Sequence, residues 1–185
     1  MVSNNLKNNF GGVTLWSTGL PCSGKSTIAQ LLFERLQGSR LKVELLDGDV
    51  VRQKLTKGLG FSKEDRDENI RRIGYVCQLL SRNGVIAIGA AISPYRAIRD
   101  ELRGMIPCFV EIYLNCPLEV CVQRDVKGMY KRALAGELKN FTGVSDPYEE
   151  PLHPELVLNT HEETPEQSAE KVLEYLRVRG WEIAP

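Results

Sequence analysis

The chain has 185 residues with 24 basic and 24 acidic side chains, so its formal net charge at neutral pH is zero. That balance argues against a protein that binds nucleic acid through bulk positive charge. The length suits a single domain over residues 1–185, and a hydrophobic fraction of 42% excludes a disordered chain.

Cysteine usage and hydropathy exclude further classes of protein. The 5 cysteines are an odd number without a C-x-x-C pair, and there are only 2 histidines, which argues against a structural zinc site and a secreted disulfide framework. Residues 1–10 lack the apolar core of a signal peptide, and we expect them to form a flexible tail. No apolar run reaches the roughly 18 residues that cross a bilayer, so the sequence predicts a cytoplasmic protein without membrane contact.

Strand-like and helix-like segments alternate along the chain. Short apolar runs predict five strands, over residues 13–18, 42–46, 85–90, 108–114 and 156–158. Apolar residues at helical spacing predict helices over residues 26–37, 69–82, 118–123 and 165–179. This alternation is typical of a three-layer α/β fold, in which a mostly parallel five-stranded sheet has helices on both faces.

One segment departs from the alternation. Residues 125–150 contain Gly128, Gly136, Gly143 and Pro147, and they show apolar periodicity only around residues 129–138. A loop of this length is uncommon inside a compact domain, and such loops often close over a binding site. We therefore expect residues 125–150, hereafter the lid segment, to form a lid.

The turn after the first predicted strand carries a phosphate-binding motif. Residues 19–26 read GLPCSGKS and fit G-x-x-x-x-G-K-[ST], with a strand before them and a helix after them. Backbone N–H groups of this phosphate loop would surround the β-phosphate of ATP, Lys25 would reach the β- and γ-phosphates, and the Ser26 hydroxyl would bind Mg²⁺. The motif predicts a P-loop NTPase fold and the nucleotide-binding residues Gly19, Leu20, Pro21, Cys22, Ser23, Gly24, Lys25, Ser26 and Thr27.

Two carboxylates follow the second predicted strand. Asp47 and Asp49 lie at the strand's carboxyl end, the edge at which open α/β sheets bind ligands. If the strand continues to Asp49, its two-residue repeat turns both carboxylates to one side. One of them, with Asp47 as the candidate, would hold Mg²⁺, and the other would accept a hydroxyl proton. A solvated Asp-Gly-Asp turn is the alternative.

Basic residues cluster locally although the net charge is zero. Residues 52–72 carry seven basic and four acidic side chains, and residues 124–139 carry five and two. Guanidinium groups suit phosphate or sulfate oxygens, but solvated helix faces would look the same. Phe61 and Phe141 lie in polar, glycine-rich surroundings, where they either stack on a ring of a ligand or hold their loops on the core. A lid with such arginines suits a kinase for a small anionic acceptor.

Several longer strings together resemble the adenylyl-sulfate kinase family, which phosphorylates the 3′-hydroxyl of adenylyl sulfate (APS) with ATP. The strings are residues 45–49 (LLDGD), 59–62 (LGFS), 65–74 (DRDENIRRIG), 92–96 (ISPYR), 117–121 (PLEVC), 124–131 (RDVKGMYK) and 141–143 (FTG). The resemblance covers about residues 10–180. It implies an enzyme of sulfate activation that forms ADP and 3′-phosphoadenylyl sulfate (PAPS), uses Mg²⁺ and assembles as a homodimer.

The resemblance also implies roles for individual residues. Asp49 resembles the family's essential aspartate near the 3′-hydroxyl, and Arg124 resembles the residue that covers the adenine of ATP. In that reaction Lys25 would be catalytic, because together with Mg²⁺ it would neutralise the charge that develops on the transferred phosphoryl group. Ser93 resembles a residue described as a phosphoserine intermediate, although in-line transfer between bound substrates needs no covalent step. The residues that resemble the APS-binding set are Asp49, Arg52, Phe61, Arg66, Asn69, Ile92, Ser93, Lys127 and Phe141, of which Phe61 and Phe141 would clasp the APS adenine.

Two other functions remain open at the level of sequence. Another small-molecule P-loop kinase would explain the phosphate loop and the lid segment, but not the pair Phe61 and Phe141. A non-catalytic ATP-binding module would bind ATP without turnover of any acceptor and would not require Asp49.

Overall fold

The five predicted strands form one parallel sheet in a computed structural model that describes residues 11–39 and 41–183. The strands are β1 (Val13–Thr18), β2 (Val43–Asp47), β3 (Ile86–Ala90), β4 (Phe109–Asn115) and β5 (Leu156–Asn159). Their spatial order is β2-β3-β1-β4-β5, and each neighbouring pair is parallel. The predicted α/β fold with a mostly parallel sheet is confirmed, and β1, which leads into the phosphate loop, lies at its centre. The expected tail, residues 1–10, lies outside the described residues.

Seven helices are present in the described residues: α1 (Lys25–Gly38), α2 (Gly48–Lys54), α3 (Lys63–Ser81), α4 (Arg96–Met105), α5 (Leu118–Arg124), α6 (Met129–Leu134) and α7 (Pro165–Val178). Helices α1 and α7 pack on one face of the sheet through side chains such as Leu32 and Leu173. Helices α3 and α4 cover the other face, where Ile73 and Leu102 join Trp16 of β1. Both faces of the central strands are therefore buried, as the apolar strands predicted, whereas edge-strand residues such as Val157 remain exposed.

The sequence prediction missed or shortened four helices. Among them is α6, which lies where apolar periodicity around residues 129–138 was noted but no helix was predicted. Helix α3 begins at Lys63 rather than residue 69, because Ser62 caps it by accepting a hydrogen bond from the Asp65 amide at 3.1 Å. Its first turns are charged and partly exposed, so no apolar repeat marks them. Helix α4 was missed because Pro94 indicated a chain break, and the helix begins two residues later. Helix α2 was missed because residues 47–49 were interpreted as the end of a strand or a turn.

The condition under which strand alternation would turn Asp47 and Asp49 to one side is not met. The strand ends at Asp47, which is the N-cap of α2 and accepts the Asp49 amide at 2.9 Å. Asp residues favour this position because their carboxylates satisfy free N–H groups at a helix start. A helix cap, and not strand alternation, therefore fixes how these two carboxylates are placed.

The lid segment packs against the body of the protein. It contains α6 and a short bridge between Thr142 and Asp146. The side chain of Tyr130 is fully buried with Cys116 and Cys121 in a third apolar cluster, next to the phosphate loop. A closing movement of this segment stays a prediction. Within residues 11–39 and 41–183, no helix combines the length and apolarity needed to cross a membrane.

Candidate active site

The predicted site residues meet at the carboxyl edge of the sheet. The phosphate loop follows β1, Asp47 ends β2, and residues 91–95, hereafter the acceptor loop, follow β3. Because parallel strands end at the same edge, segments distant in sequence become neighbours there. The lid segment adds Lys127 and Phe141 to the same edge.

The phosphate loop presents a free helix start to a ligand. Gly24 precedes α1 with a left-handed φ of 100°, and in the described chain no side chain caps this helix. The first turn of α1 also contains no acidic residue. Unpartnered N–H groups and the positive end of the helix dipole therefore remain available for phosphate oxygens. Thr160, which sequence analysis did not identify, supports the loop by donating a 2.9 Å hydrogen bond to the Ser23 carbonyl.

The ammonium of Lys25 folds over the phosphate loop. It donates hydrogen bonds to the carbonyls of Gly19 at 2.9 Å and Leu20 at 2.6 Å. Burial lowers the pKa of Lys25 to about 8, although the nearby carboxylates of Asp49 and Asp47 oppose this change. A bound phosphate would supply the full negative charge that the loop carbonyls lack, so the lysine is poised to gain from an anionic ligand.

A line of contacts joins the phosphate loop to the lid segment. The Ser26 hydroxyl donates to Asp47 Oδ2 at 2.5 Å, and Asp47 Oδ1 accepts the Asp49 amide at 2.9 Å. The Asp49 carboxylate in turn accepts from the Lys127 ammonium at 2.5 Å. Asp49 and Lys127 are both about two-thirds exposed, at 68% and 66%, so a ligand can reach and separate them. The structure thus brings four predicted site residues together.

The oxygens of Ser26 and Asp47 fit a magnesium ion that arrives with a nucleotide. Hydroxyl and carboxylate oxygens are the hard ligands that Mg²⁺ prefers, and the ion usually completes its shell with water and phosphate. The described residues contain no group of three His, Cys, Asp or Glu side chains that could hold a metal ion.

Arg66 joins the two loops that carry the predicted adenine clasp. Its guanidinium donates to the Phe61 carbonyl at 3.0 Å, to the Asn140 carbonyl, and to the Thr142 hydroxyl at 2.9 Å. Phe61 is 58% exposed, whereas Phe141 is partly buried with its ring edge-on to Tyr130. The structure therefore places Phe61 and Phe141 on two loops that share Arg66, with one ring open to solvent.

Positive charge accumulates beside Phe61. The Arg52 guanidinium lies 4.5 Å from the centre of this ring and donates to the Gly60 carbonyl at 3.1 Å. Burial, and secondarily the nearby Arg66, lowers the pKa of Arg52, while Asp49 and Asp65 oppose this change. Asn69 is buried, and its Oδ1 has no hydrogen-bond partner among the described residues. Neighbouring guanidinium groups and an unpartnered amide oxygen are typical of a polar ligand site.

The acceptor loop uses its own polar groups internally. Ser93 is buried with a positive φ of 40°, and its hydroxyl accepts from the Trp16 indole at 3.0 Å. The Ile92 carbonyl accepts from the Thr18 hydroxyl at 2.7 Å. The Ser93 hydroxyl is thus an acceptor for a core side chain, and its predicted roles in catalysis and substrate binding stay predictions. Sequence analysis missed Thr18, whose place directly before the phosphate loop was the available signal.

Arg124, the last residue of α5, contacts the phosphate loop. Its guanidinium donates to the Thr160 carbonyl at 2.5 Å and, at 3.4 Å, to the Cys22 carbonyl. The side chain is thus held against the loop that would bind the phosphates of ATP. The predicted contact of Arg124 with the adenine of ATP stays a prediction.

Comparisons with known proteins point to one family. The sequence model of the family described as adenylylsulphate kinase matches residues 11–159. An adenylyl-sulfate kinase of Picosynechococcus is 60% identical over 92% of this chain and 96% of its own length, and that of Gloeothece citriformis is 59% identical over 92% and 97%. An APS kinase of Mycobacterium tuberculosis, solved in complex with AMPPNP and APS, is 38% identical with a TM-score of 0.87, covering 90% of this chain and 98% of that one.

The lowered pKa of Lys25 predicts proton uptake on nucleotide binding in alkaline solution. At about pH 9, most Lys25 side chains of the free protein are neutral, and the phosphates of ADP restore the charge, so binding takes up close to one proton. Affinity for ADP therefore falls as pH rises through about 8. Titration calorimetry in buffers of different ionisation enthalpy measures the uptake.

Lys25→Arg is the matched control, because an arginine stays charged throughout this range. It should bind ADP at about pH 9 without proton uptake. Equal uptake by both proteins would assign the proton to another group.

Proposed function

The chain belongs to the adenylyl-sulfate kinase family, and we propose that the residues at the carboxyl edge of its sheet carry out that family's reaction. ATP and adenylyl sulfate give ADP and 3′-phosphoadenylyl sulfate. The 3′-hydroxyl oxygen forms a bond to the γ-phosphorus while the bond from that phosphorus to the β–γ bridging oxygen breaks. The hydroxyl proton passes to the Asp49 carboxylate.

The observation that carries this assignment of residues is the line of contacts from Ser26 through Asp47 and Asp49 to Lys127. Asp49, the candidate proton acceptor, is hydrogen-bonded to Asp47, which contacts Ser26 of the phosphate loop. Its carboxylate also contacts Lys127 of the lid segment. A phosphoryl acceptor between the loop and the lid would replace Lys127 as the neighbour of Asp49. A non-catalytic ATP-binding module has no need for such a carboxylate.

The donor side uses the phosphate loop. Lys25 exchanges its two loop carbonyls for phosphate oxygens, and the free start of α1 binds the β-phosphate. Ser26 and Asp47 would hold Mg²⁺, which, when bound, neutralises charge on the transferring phosphoryl group. These groups position the phosphates and stabilise their charge, and phosphoryl transfer requires little covalent chemistry from the protein beyond that.

The acceptor side is suited to an anionic nucleotide. Arg52 and Arg66 lie beside the exposed ring of Phe61, so a sulfate or phosphate and an adenine can be bound together. Phe141 on the facing loop would complete the contact with the adenine, and Asn69 supplies an unpartnered amide oxygen. Ile92 and Lys127 would border the ligand from the acceptor loop and the lid segment.

The cellular compartment, the oligomeric state and the ligand are inferred from the family resemblance. We propose that the protein acts in the cytoplasm as a homodimer, with adenylyl sulfate as its partner ligand. Neither nucleic acid nor a membrane is part of this proposal.

The first experiment measures ADP release from ATP and Mg²⁺ with adenylyl sulfate, AMP, gluconate or no acceptor. We expect release only with adenylyl sulfate, because AMP lacks the sulfate and gluconate lacks the adenine that the Phe61 side would bind. Release with another acceptor would support a different small-molecule kinase. ATP binding without acceptor-dependent release would support a non-catalytic module.

Asp49→Asn tests the proton acceptor. We expect kcat to fall by about 100-fold or more, with the KM for ATP nearly unchanged, because the amide neither orients nor deprotonates the hydroxyl equally well. Asp100→Asn, which removes the same charge from an exposed residue of α4, is the matched control and should resemble the wild type. Near-normal turnover by Asp49→Asn would refute the role.

Ser93→Ala separates a structural hydroxyl from a covalent intermediate. We expect turnover within about tenfold of the wild type, since in-line transfer needs no phosphoserine. Losing the acceptor for the Trp16 N–H should lower the free energy of unfolding by about 1 kcal/mol, measured in urea. Labelled protein formed from γ-labelled ATP without acceptor, and absent in Ser93→Ala, would establish the intermediate instead.

A further inference from the structure

The hydroxyl of Tyr148, near the end of the lid segment, takes part in a chain of two hydrogen bonds. It lies 2.9 Å from the Thr18 hydroxyl, which lies 2.7 Å from the Ile92 carbonyl. A carbonyl can only accept, so Thr18 donates its single proton to Ile92. The Tyr148 hydroxyl must therefore donate to Thr18, and the chain has one direction.

This chain connects three parts of the active site. Thr18 is the last residue of β1 and directly precedes the phosphate loop. Ile92 belongs to the acceptor loop, and Tyr148 to the lid segment. One tyrosine hydroxyl thus links the segment that binds the donor phosphates to the two segments assigned to the acceptor.

The surroundings of Tyr148 fix its ring and its protonation. The ring stacks on Tyr113 with centres 6.2 Å apart, and the Arg99 guanidinium lies 5.7 Å from its centre. Burial raises the pKa of Tyr148 well above the usual range of tyrosine, so the hydroxyl keeps its proton and remains a donor.

Arg99 forms hydrogen bonds to both the acceptor loop and the end of the lid segment. This fully buried guanidinium donates to the Ser93 carbonyl at 2.5 Å and to the Glu149 carbonyl at 2.6 Å. The residues that follow Ile92 and Tyr148 in sequence are therefore held together as well. Lid end and acceptor loop form one unit, and the Tyr148–Thr18 hydrogen bond joins this unit to the phosphate loop.

We propose that Tyr148 is a positioning residue for phosphoryl transfer, whose hydroxyl acts through Thr18 to set the acceptor loop and the lid end relative to the phosphate loop. The inference rests on the proposed function, because it requires the donor phosphate and the acceptor hydroxyl to be held by these segments. Transfer in line depends steeply on how the two reacting groups are aligned. The hydroxyl touches neither substrate in this role.

Removing the hydroxyl should therefore affect the acceptor reaction more than nucleotide binding. In Tyr148→Phe we expect kcat/KM for adenylyl sulfate at saturating ATP to fall by about tenfold. The Kd for ADP should stay within about twofold of the wild type, because the phosphate loop keeps its own contacts with Lys25 and Thr160. A purely structural role would not produce this difference between the two measurements.

Tyr113→Phe is the matched control. It removes a hydroxyl from the adjacent ring of the same stack, and that hydroxyl faces Glu150 rather than Thr18. We expect both measurements to remain close to the wild type. A loss equal to that of Tyr148→Phe would show that any hydroxyl of the stack matters and would overturn the proposal.

Thr18→Val interrupts the same chain at its centre and keeps the shape of the side chain. If the chain acts as one unit, the double variant Thr18→Val/Tyr148→Phe loses no more activity than the more damaging single variant. Multiplying losses would mean independent effects and would overturn the proposal. These variants also decide the matter if Tyr148→Phe folds poorly, because Thr18→Val alone must then reproduce the acceptor-specific loss.

Failure of the proposed function gives a different result. Wild-type protein that releases no ADP with adenylyl sulfate refutes the function, and this inference falls with it. Wild-type turnover together with unchanged kcat/KM in Tyr148→Phe refutes only the positioning role. A parallel fall in ADP affinity and turnover would also refute it, because the hydroxyl would then support the fold as a whole.

Discussion

The contact between the Ser26 hydroxyl and the Asp47 carboxylate is the interaction on which the arrangement of the site depends. Ser26 belongs to the helix that follows β1, and Asp47 ends β2, so the contact spans the end of β3, which lies between them. Gly48 approaches the Ala90 carbonyl so closely that a Cβ would lie 3.1 Å from it. Through this contact, α2 is placed with Asp49 facing the phosphate loop.

The acceptor side is held mainly by polar groups of low exposure, whereas the sheet is stabilised by its two apolar faces. Arg99 pairs with Glu111 at 2.8 Å, and Arg103 pairs with the same carboxylate at 3.0 Å. The Arg99–Glu111 pair is buried, and removing one partner of a buried pair costs about 3–5 kcal/mol, although the pair itself adds little net stability. These networks, like the one around Arg66, are therefore best understood as fixing where loops lie. Because polar contacts hold the loops and apolar contacts stabilise the sheet, the loops are positioned without adding apolar side chains to the core.

Several features followed from local sequence. The strands were predicted from short continuous apolar runs and the long helices from apolar residues at helical spacing, and both patterns can be seen within a short window of the chain. The phosphate loop was predicted because its two glycines, Lys25 and Ser26 form a complete motif within eight consecutive positions. Helices α2 and α4 and the first turns of α3 were missed, because a cap at Asp47, a proline and a charged turn obscured them. The roles of Phe61 and Phe141 needed the resemblance as well.

By itself the sequence determined the fold class, the phosphate loop and the family, since these depend on residue types at short spacings. Only the tertiary structure decided which side chains meet: Asp49 with Lys127, Arg66 between two loops, and Tyr148 with Thr18. Asp49 and Lys127 are separated by 78 positions in sequence, Arg66 and Thr142 by 76, and Thr18 and Tyr148 by 130. No local pattern encodes such contacts, because they arise from the parallel sheet, which brings the ends of its strands to one edge.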